Sequence, residues 1–179
     1  MIVITGSEGR VGQKLMHALP DPVGVDRKPT ATIVADLETA DYSSGPLADA
    51  LHTADALIHL ATDPNPEAPA EVHLAAAVAG ARLVGAAARI GVPRLLLASS
   101  DWADPILSGL EVNPYGRSKR VFEELAQIYN AIPGLSGASL RIGWVPRDPA
   151  EVEEAPDWLR ANHWPDETLI KSVRNALDL

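Results

Sequence analysis

Met1-Ile2-Val3-Ile4-Thr5-Gly6-Ser7-Glu8-Gly9-Arg10-Val11-Gly12 opens the chain and decides its fold. An apolar run followed by Thr-Gly-x-x-Gly-x-x-Gly predicts a buried strand, a tight glycine turn and the first turn of a helix. Gly6 lets the chain reverse, Gly9 leaves no side chain between backbone N–H groups and a pyrophosphate, and Gly12 lets the helix lie close to the strand. The N–H groups at the positive end of the helix dipole would bind the anion. The stretch therefore predicts a phosphate-binding turn.

A second predicted strand, Pro22–Asp26, ends in a carboxylate at the spacing that a dinucleotide site requires. In such a site the carboxylate binds the adenosine ribose. It also repels a 2′-phosphate, so Asp26 favours NAD over NADP, whereas Arg27 beside it acts in the opposite direction. The expected cofactor is NAD, and NADP is the less favoured alternative.

Strands and helices alternate along the rest of the chain. The further predicted strands are Thr32–Leu37, Ala56–Thr62, Arg94–Ser100 and Gly137–Gly143. The predicted helices are Gln13–Leu19, Leu47–Leu51, Ala70–Ile90, Pro114–Ile132 and Asp166–Leu177. The proline-rich residues 63–69 predict a loop at the carboxyl end of a strand, and the acidic residues 148–157 predict a loop or lid. The alternation predicts an α/β fold, a Rossmann-like doubly wound parallel sheet of about six strands with helices on both faces.

Composition limits the class of protein. The 179 residues, of which 46% are hydrophobic, are expected to form one domain over residues 1–179. A formal net charge of −9 does not indicate a basic surface for binding nucleic acid or an anionic membrane. The lack of cysteine excludes disulfides and thiol chemistry. The five histidines have no metal-ligand spacing, so no metal is expected. We expect no membrane span, because no apolar run reaches the ~20 residues that a span needs, and we expect a soluble, cytoplasmic protein with a small-molecule substrate.

The residues for catalysis are predicted in Tyr115-Gly116-Arg117-Ser118-Lys119, with Ser100 upstream. Residues four apart on a helix share a face, so the Lys119 ammonium is expected beside the Tyr115 phenol, where it would favour the phenolate. A tyrosine with a pKa of ~10 is a poor base near neutral pH unless a cation lowers that pKa. Ser100, at the carboxyl end of a strand, is expected to hydrogen-bond the same substrate oxygen.

Together these motifs resemble the extended short-chain dehydrogenases/reductases of the NAD-dependent epimerase/dehydratase group. They follow in the family's order: Thr5-Gly-x-x-Gly-x-x-Gly12, Asp26, Asp36-Leu37, His59-Leu60-Ala61, Ser99-Ser100, Tyr115-x-x-x-Lys119 and Leu140-Arg141-Ile142-Gly143. The spacing from Ala98 through Tyr115 and Arg141 to Trp158 is most similar to uronate dehydrogenases.

The resemblance implies a role for each matching residue. The implied cofactor contacts are Gly6, Gly9, Arg10, Val11 and Gly12 to the pyrophosphate, Asp26 to the adenosine ribose, Asp36 and Leu37 to the adenine, Leu60 and Ala61 along the nicotinamide half, and Lys119 to the nicotinamide ribose. The implied catalytic roles are Tyr115 as acid/base, next to the cofactor, and Ser100 in orienting the substrate.

Some positions depart from the family pattern. Asp101 stands where uronate dehydrogenases carry asparagine, and Trp144 and Glu153 replace the serine and arginine that the resemblance assigns to the substrate carboxylate. Ser100, Asp101, Trp144 and Glu153 are thus the expected substrate contacts, and they favour a neutral or amine-bearing substrate over an acidic sugar. Ala77 replaces an asparagine that carries a proton-relay water in the family.

Relatives continue beyond the C-terminal helix, so residues 144–179 are expected to form a rudimentary substrate-side segment, with the last strand and substrate lobe reduced or absent. An oxidoreductase is the favoured function. An NAD-dependent sugar epimerase or dehydratase, or a non-catalytic dinucleotide-binding scaffold or sensor, remains the alternative. A homodimer is expected, with the two helices Ala70–Ile90 and Pro114–Ile132 pairing across a two-fold axis.

Overall fold

The computed structural model describes residues 1–104 and 111–179. Within them, parallel strands form one six-stranded sheet in the order β3-β2-β1-β4-β5-β6. The strands are β1 (Ile2–Thr5), β2 (Pro22–Asp26), β3 (Ile33–Val34), β4 (Ala56–His59), β5 (Arg94–Ser99) and β6 (Ser136–Arg141). This strand order is that of the Rossmann fold, which confirms the predicted fold class.

A helix lies between successive strands except β2 and β3, which residues 27–32 join, and three further helices follow β6. The helices are α1 (Arg10–Ala18), α2 (Pro46–Thr53), α3 (Ala70–Ile90), α4 (Pro114–Asn130), α5 (Ala150–Glu154), α6 (Asp157–Arg160) and α7 (Asp166–Ala176), with a 3-10 helix at Asp101–Ala103. Most predicted elements occur, with ends that differ by a few residues. The sixth-strand prediction Gly137–Gly143 is shifted to Ser136–Arg141.

The sheet is covered on both faces. On one face Val3, Leu57 and Leu95 pack with residues of α2, α3 and α4. On the other face Ile4 and Ile58 pack with α1 and α7 and with Val145. Residues 144–179 therefore contribute to the core rather than lying apart from it.

Three expectations need correction. The third strand is two residues long instead of six, because it pairs only with β2 at the edge of the sheet, through Val25 and Asp26. Residues 148–157 are not simply a loop, because the Asp148 carboxylate accepts hydrogen bonds from the N–H groups of Ala150 (2.9 Å) and Glu151 (3.3 Å) and so starts α5.

The third correction concerns α3, which is long and apolar enough by length and composition to cross a membrane, with a mean hydropathy of 1.3. In this fold Leu83, Val84 and Ala87 of α3 lie in the core with Phe122 and Ala126 of α4. A core helix of a globular protein meets the same criterion, and just under half of this apolar stretch is buried in the fold.

Candidate active site

The glycine turn between β1 and α1 lies against the carboxyl end of β4. Gly6 has a φ of +74°, and a Cβ added there would lie 2.8 Å from the nitrogen of Ala61 and 2.9 Å from the carbonyl carbon of Leu60. A Cβ at Gly12 would overlap the carbonyl oxygen of Gly6. Close packing therefore requires both glycines, as predicted, and brings Leu60 and Ala61 beside the turn.

The first turn of α1 leaves its backbone donors available to a ligand. Gly9 is the N-cap and makes no side-chain cap hydrogen bond, and helix geometry leaves the N–H groups of Arg10, Val11 and Gly12 without intrahelical partners. A Cβ at Gly9 would approach only the Gly6 carbonyl, at 3.1 Å. Free N–H groups at a helix N-terminus, unscreened by side chains, fit a pyrophosphate.

The Arg10 side chain makes its contacts elsewhere, with Val145 and Glu151. Its Nη1 lies 3.5 Å from the carbonyl oxygen of Val145 and 3.5 Å from the Glu151 carboxylate. The part of Arg10 left for the predicted anion site is therefore its backbone N–H, while the guanidinium joins α1 to the segment that carries α5.

Asp26 ends β2 beside the same turn. Its two carboxylate oxygens accept hydrogen bonds from the N–H groups of Glu8 and Lys28, both at 3.1 Å. Lys28 Nζ donates to the Glu8 carbonyl (3.0 Å), and the Thr30 hydroxyl donates to the Glu8 carboxylate (2.6 Å). The expected ribose ligand is thus fixed by the turn itself, through neighbours that the sequence motif did not identify.

Asp36 and Leu37, the expected adenine contacts, follow β3 at the same edge of the sheet. The N–H of Ala35 donates to the Asp26 carbonyl (2.9 Å), which holds this stretch beside β2. Leu37 is buried and Asp36 is exposed. The residues expected to contact adenine and ribose are therefore adjacent, as a dinucleotide site requires.

Lys119 is buried on α4 beneath Tyr115. Its ammonium donates a hydrogen bond to the Thr62 hydroxyl (2.8 Å) and lies 5.1 Å from the centre of the Tyr115 ring. Burial lowers the pKa of Lys119 to about 8. The predicted proximity of Tyr115 and Lys119 is therefore present, with the ammonium over the ring rather than bonded to the phenol oxygen.

The electrostatics of Tyr115 differ from the expectation. Burial raises the pKa of the phenol, and a hydrogen bond with the Ser100 side chain acts in the opposite direction. From the sequence, Lys119 was expected to lower that pKa. In the structure desolvation of the phenol is the dominant influence, so the shift of the pKa is opposite to the expected one.

The start of α4 packs against the segment that carries Ser100. A Cβ at Gly116 would overlap the carbonyl of Trp102, and the Ser100 side chain caps the 3-10 helix by accepting from the N–H of Trp102 (3.4 Å). At the N-terminus of α4, Asn113 accepts from the N–H of Gly116 (2.8 Å) and donates to the Pro66 carbonyl (3.0 Å). These contacts bring Ser100, Tyr115 and the proline-rich loop together.

Two buried histidines adjoin this cluster, and neither was selected as functional from the sequence. His59 Nδ1 shares a hydrogen bond with the Thr5 hydroxyl (2.7 Å), and burial, with a smaller effect of the Lys119 charge, lowers the pKa of His59 to about 3. His73 of α3 meets Tyr115 edge to face, with ring centres 5.5 Å apart. The Nε2 atom of each histidine is buried without a hydrogen-bond partner among the described residues.

A polar network fixes the strands behind the site. The Ser99 hydroxyl donates to Glu123 (2.6 Å), and Arg141 binds the same carboxylate through Nε (2.7 Å) and Nη2 (3.0 Å). Arg141 Nη1 also reaches Asp104 at 3.2 Å. The network joins β5, α4, β6 and the end of the 3-10 helix, and it holds the pKa of Glu123 below its usual value chiefly through Arg141.

The expected substrate contacts fall into two groups. Ser100 and Asp101 are consecutive at the end of β5, and Asp101 is half-buried. Trp144 packs against His163, with ring centres 5.9 Å apart, and Glu153 is exposed on α5. Among the described residues no hydrogen bond, ion pair or ring contact joins Trp144 or Glu153 to the first group, and residues 105–110 lie outside the described part of the chain.

Comparison with known proteins agrees with this geometry. The sequence model of the NAD dependent epimerase/dehydratase family matches residues 2–145. An NAD-dependent glucose-6-phosphate dehydrogenase from Haloferax volcanii is 28% identical over 176 residues, which cover 79% of this chain and 67% of that protein. The chain thus spans about two thirds of the length of this relative.

Solved structures share the fold. MoeE5 in complex with UDP-glucuronic acid and NAD superposes with a TM-score of 0.76 at 22% identity, covering 99% of this chain and 72% of that one. A mutated uronate dehydrogenase superposes with a TM-score of 0.71 at 24% identity, covering 98% and 68%. With the family match over most of its length and a glycine turn that fits a dinucleotide, the chain belongs to the NAD-dependent epimerase/dehydratase family and its cofactor is NAD.

Proposed function

We propose that the protein is an oxidoreductase that transfers a hydride between NAD and a carbon bearing a hydroxyl or carbonyl group of a sugar-like substrate. The observation that carries the proposal is the enclosure of Tyr115 between a Ser100 hydrogen bond and the buried ammonium of Lys119. A tyrosine held between a hydroxyl and a cation can both give and take a proton.

The cofactor contacts follow from the fit of the turn. The N–H groups of Arg10, Val11 and Gly12 would hold the pyrophosphate, Asp26 the adenosine ribose, and Asp36 and Leu37 the adenine. Leu60 and Ala61 would line the nicotinamide half, and Lys119 would reach the nicotinamide ribose. When bound, NAD supplies the hydride acceptor or, once reduced, the donor.

Tyr115 would move the proton that accompanies the hydride. In carbonyl reduction its phenol donates a proton to the carbonyl oxygen, and in alcohol oxidation its phenolate takes the hydroxyl proton. Burial favours the neutral phenol, whereas the Ser100 hydrogen bond favours the phenolate. Ser100 would also hydrogen-bond the substrate oxygen and so hold it within reach of Tyr115.

For the substrate we infer a neutral or amine-bearing sugar. The relative from Haloferax volcanii acts on glucose-6-phosphate, according to its name. In the present chain Asp101 directly follows Ser100 and is half-buried. A carboxylate with reduced access to water repels an anionic substituent more strongly than an exposed one. Trp144 and Glu153 are proposed as more distant contacts of the same substrate.

The test of this function is Tyr115→Phe assayed by NADH absorbance over a panel of neutral, acidic and amine-bearing sugars. Turnover should fall by ~10² to 10⁴, the contribution of a positioned acid/base, with NAD affinity by calorimetry nearly unchanged. Tyr129→Phe is the matched control, because the Tyr129 hydroxyl donates to the Val92 carbonyl (2.6 Å) and is remote from catalysis.

Equal turnover in wild type and Tyr115→Phe would contradict the proposed mechanism. Wild-type protein that turns over no substrate but binds NAD would favour a scaffold or sensor. Protein that is purified with tightly retained NAD would favour an epimerase or dehydratase, since such enzymes regenerate their cofactor in each cycle.

A further inference from the structure

Arg82, which the sequence motifs leave without a role, reaches from α3 to the loop that follows β3. Its Nη1 donates to the Glu38 carbonyl (2.6 Å) and lies 3.5 Å from the Leu37 carbonyl. Its Nη2 donates to the Ala40 carbonyl (3.0 Å). One guanidinium thus gathers three backbone carbonyls of the segment between Asp36 and Tyr42.

Tyr42 joins the same arrangement from the far end of the loop. Its ring lies 5.5 Å from Arg82 Cζ, and its hydroxyl donates to the Leu37 carbonyl (3.2 Å). Leu37 itself is buried among Ala79 and Leu83 of α3. The loop is therefore attached to α3 by one apolar side chain, one cation and one aromatic ring.

The loop needs such contacts because strand pairing does not hold it. Strand β3 ends at Val34, and among the described residues the Asp36 carboxylate accepts a hydrogen bond only from the nearby N–H of Glu38 (3.0 Å). Segments held by few backbone hydrogen bonds open at a lower free energy than core strands. The planar fork of an arginine can bind several carbonyls in a fixed geometry, which a single lysine ammonium does not match.

We propose that Arg82 is the positioning residue of the adenine side of the cofactor site: it fixes residues 36–42 so that Asp36 and Leu37 form a preformed wall for the adenine. This inference rests on the proposed role of Asp36 and Leu37. Arg82 acts through the loop and touches no cofactor atom. A preformed wall reduces the ordering that binding requires, so its effect falls on affinity.

This role of Arg82 predicts a loss of affinity only for ligands that contain adenine. Arg82→Met should weaken the binding of AMP, ADP-ribose and NAD by a similar factor, on the order of tenfold. A loss of that size is expected when charge-assisted hydrogen bonds to a ligand-binding loop are removed. Nicotinamide mononucleotide, which has no adenine, should bind Arg82→Met as it binds wild type. Arg82→Lys should recover only part of the affinity, because it restores the charge without the fork.

The experiment is calorimetric titration of the purified full chain with AMP, ADP-ribose, NAD and nicotinamide mononucleotide, the last at millimolar concentration. Arg89→Met is the matched control, since Arg89 is also an exposed arginine of α3. Arg89→Met should leave all four affinities unchanged. Tyr42→Phe, which keeps the ring but removes the bond to Leu37, should give a smaller loss with the same adenine selectivity, and it serves as the readout if Arg82→Met does not fold.

Three results would overturn the inference. The first is that Arg82→Met, or Tyr42→Phe if that variant is the readout, binds AMP with wild-type affinity. The second is that the variant loses as much affinity for nicotinamide mononucleotide as for AMP, which would indicate general damage to the fold. The third is wild-type protein in which AMP does not compete with NAD. That result would remove the adenine assignment itself, whereas the first two leave it intact.

Discussion

At the residue scale, Lys119 carries a large electrostatic cost of folding. Its ammonium is buried, and desolvation lowers the pKa from 10.5 to about 8. Between these values the unfolded chain holds a proton that the folded protein has released, so the free energy of unfolding rises with pH over that window. Below about pH 8 the full cost, about 3 kcal/mol at ~1.4 kcal/mol per pKa unit, is present.

We therefore expect Lys119→Met to be more stable than wild type at pH 7, with the difference shrinking as pH rises from 8 towards 10. Urea unfolding at each pH measures it. Lys171→Met, at an exposed lysine, should show no such trend. A difference between wild type and Lys119→Met that is constant with pH would show that Lys119 is not desolvated as described.

His73 is a second residue whose native state costs stability. Its Nε2 is buried without a partner among the described residues, while its ring packs on Tyr115. A buried polar atom without a hydrogen bond costs about 1–3 kcal/mol, and an apolar ring of similar shape avoids that cost.

We expect His73→Phe to raise the melting temperature and to keep NAD affinity, because the ring contact with Tyr115 is retained. His73→Ala should lower the melting temperature, because it leaves a cavity beside Tyr115. Differential scanning calorimetry of the two variants decides the matter. A His73→Phe protein less stable than wild type would mean that Nε2 is satisfied in the folded state.

At the element scale, the pair of helices α3 and α4 leaves an apolar surface uncovered. Leu74 (66% exposed) and Val78 (53%) lie on α3, and Val121 (42%) and Ile128 (63%) lie on α4. Because the two helices pack against each other, we expect these side chains to form one surface. Exposed apolar patches of this kind mark interaction sites.

From this surface we expect a homodimer in which the two helices pair with their copies across a two-fold axis. Val78→Glu combined with Ile128→Glu should convert the dimer to a monomer, because the charges would be buried at the interface. Sedimentation equilibrium measures the mass. Trp158→Glu, at an exposed tryptophan outside this surface, should leave the dimer intact, and a wild-type protein of monomer mass would end the idea.

The strands and helices show how much of the fold could be predicted from the sequence. The strands of the sheet and the long helices were found because their apolar periodicity is sustained over their length, and Gly6 and Gly12 were found because close backbone approach requires glycine. Helix α5 was missed because five residues carry no periodicity and its start depends on one carboxylate, Asp148. The shortness of β3 reflects pairing at the edge of the sheet, which no local pattern encodes.

For the candidate site, the motif selected Tyr115, Lys119, Ser100 and Asp26, because the roles proposed for them impose residue type and spacing. It did not identify Arg82, His73, Thr62 or Lys28, since each acts through a contact between elements distant in sequence. The raised pKa of Tyr115 was not predictable either, because desolvation depends on everything packed around the ring.

At the scale of the whole molecule, the last third of the chain is attached to the first. Lys14 of α1 pairs with Asp166 of α7 (2.8 Å), and Arg174 donates to the carbonyl of Ala18 (3.3 Å). Arg94, at the start of β5, donates to the carbonyl of Leu177 (3.0 Å). The helix that covers the second face of the sheet is thereby held at α1 and at β5.

The position of β1 has a consequence for synthesis. It comes first in the chain but lies inside the sheet, between β2 and β4, so that Thr5 meets His59 across 54 positions. As the chain leaves the ribosome, β1 can pair with β2 early but waits for β4 with one edge open. Open edges of apolar strands are where nascent chains associate wrongly. We therefore expect β1 to be open to wrong association while residues 27–59 emerge.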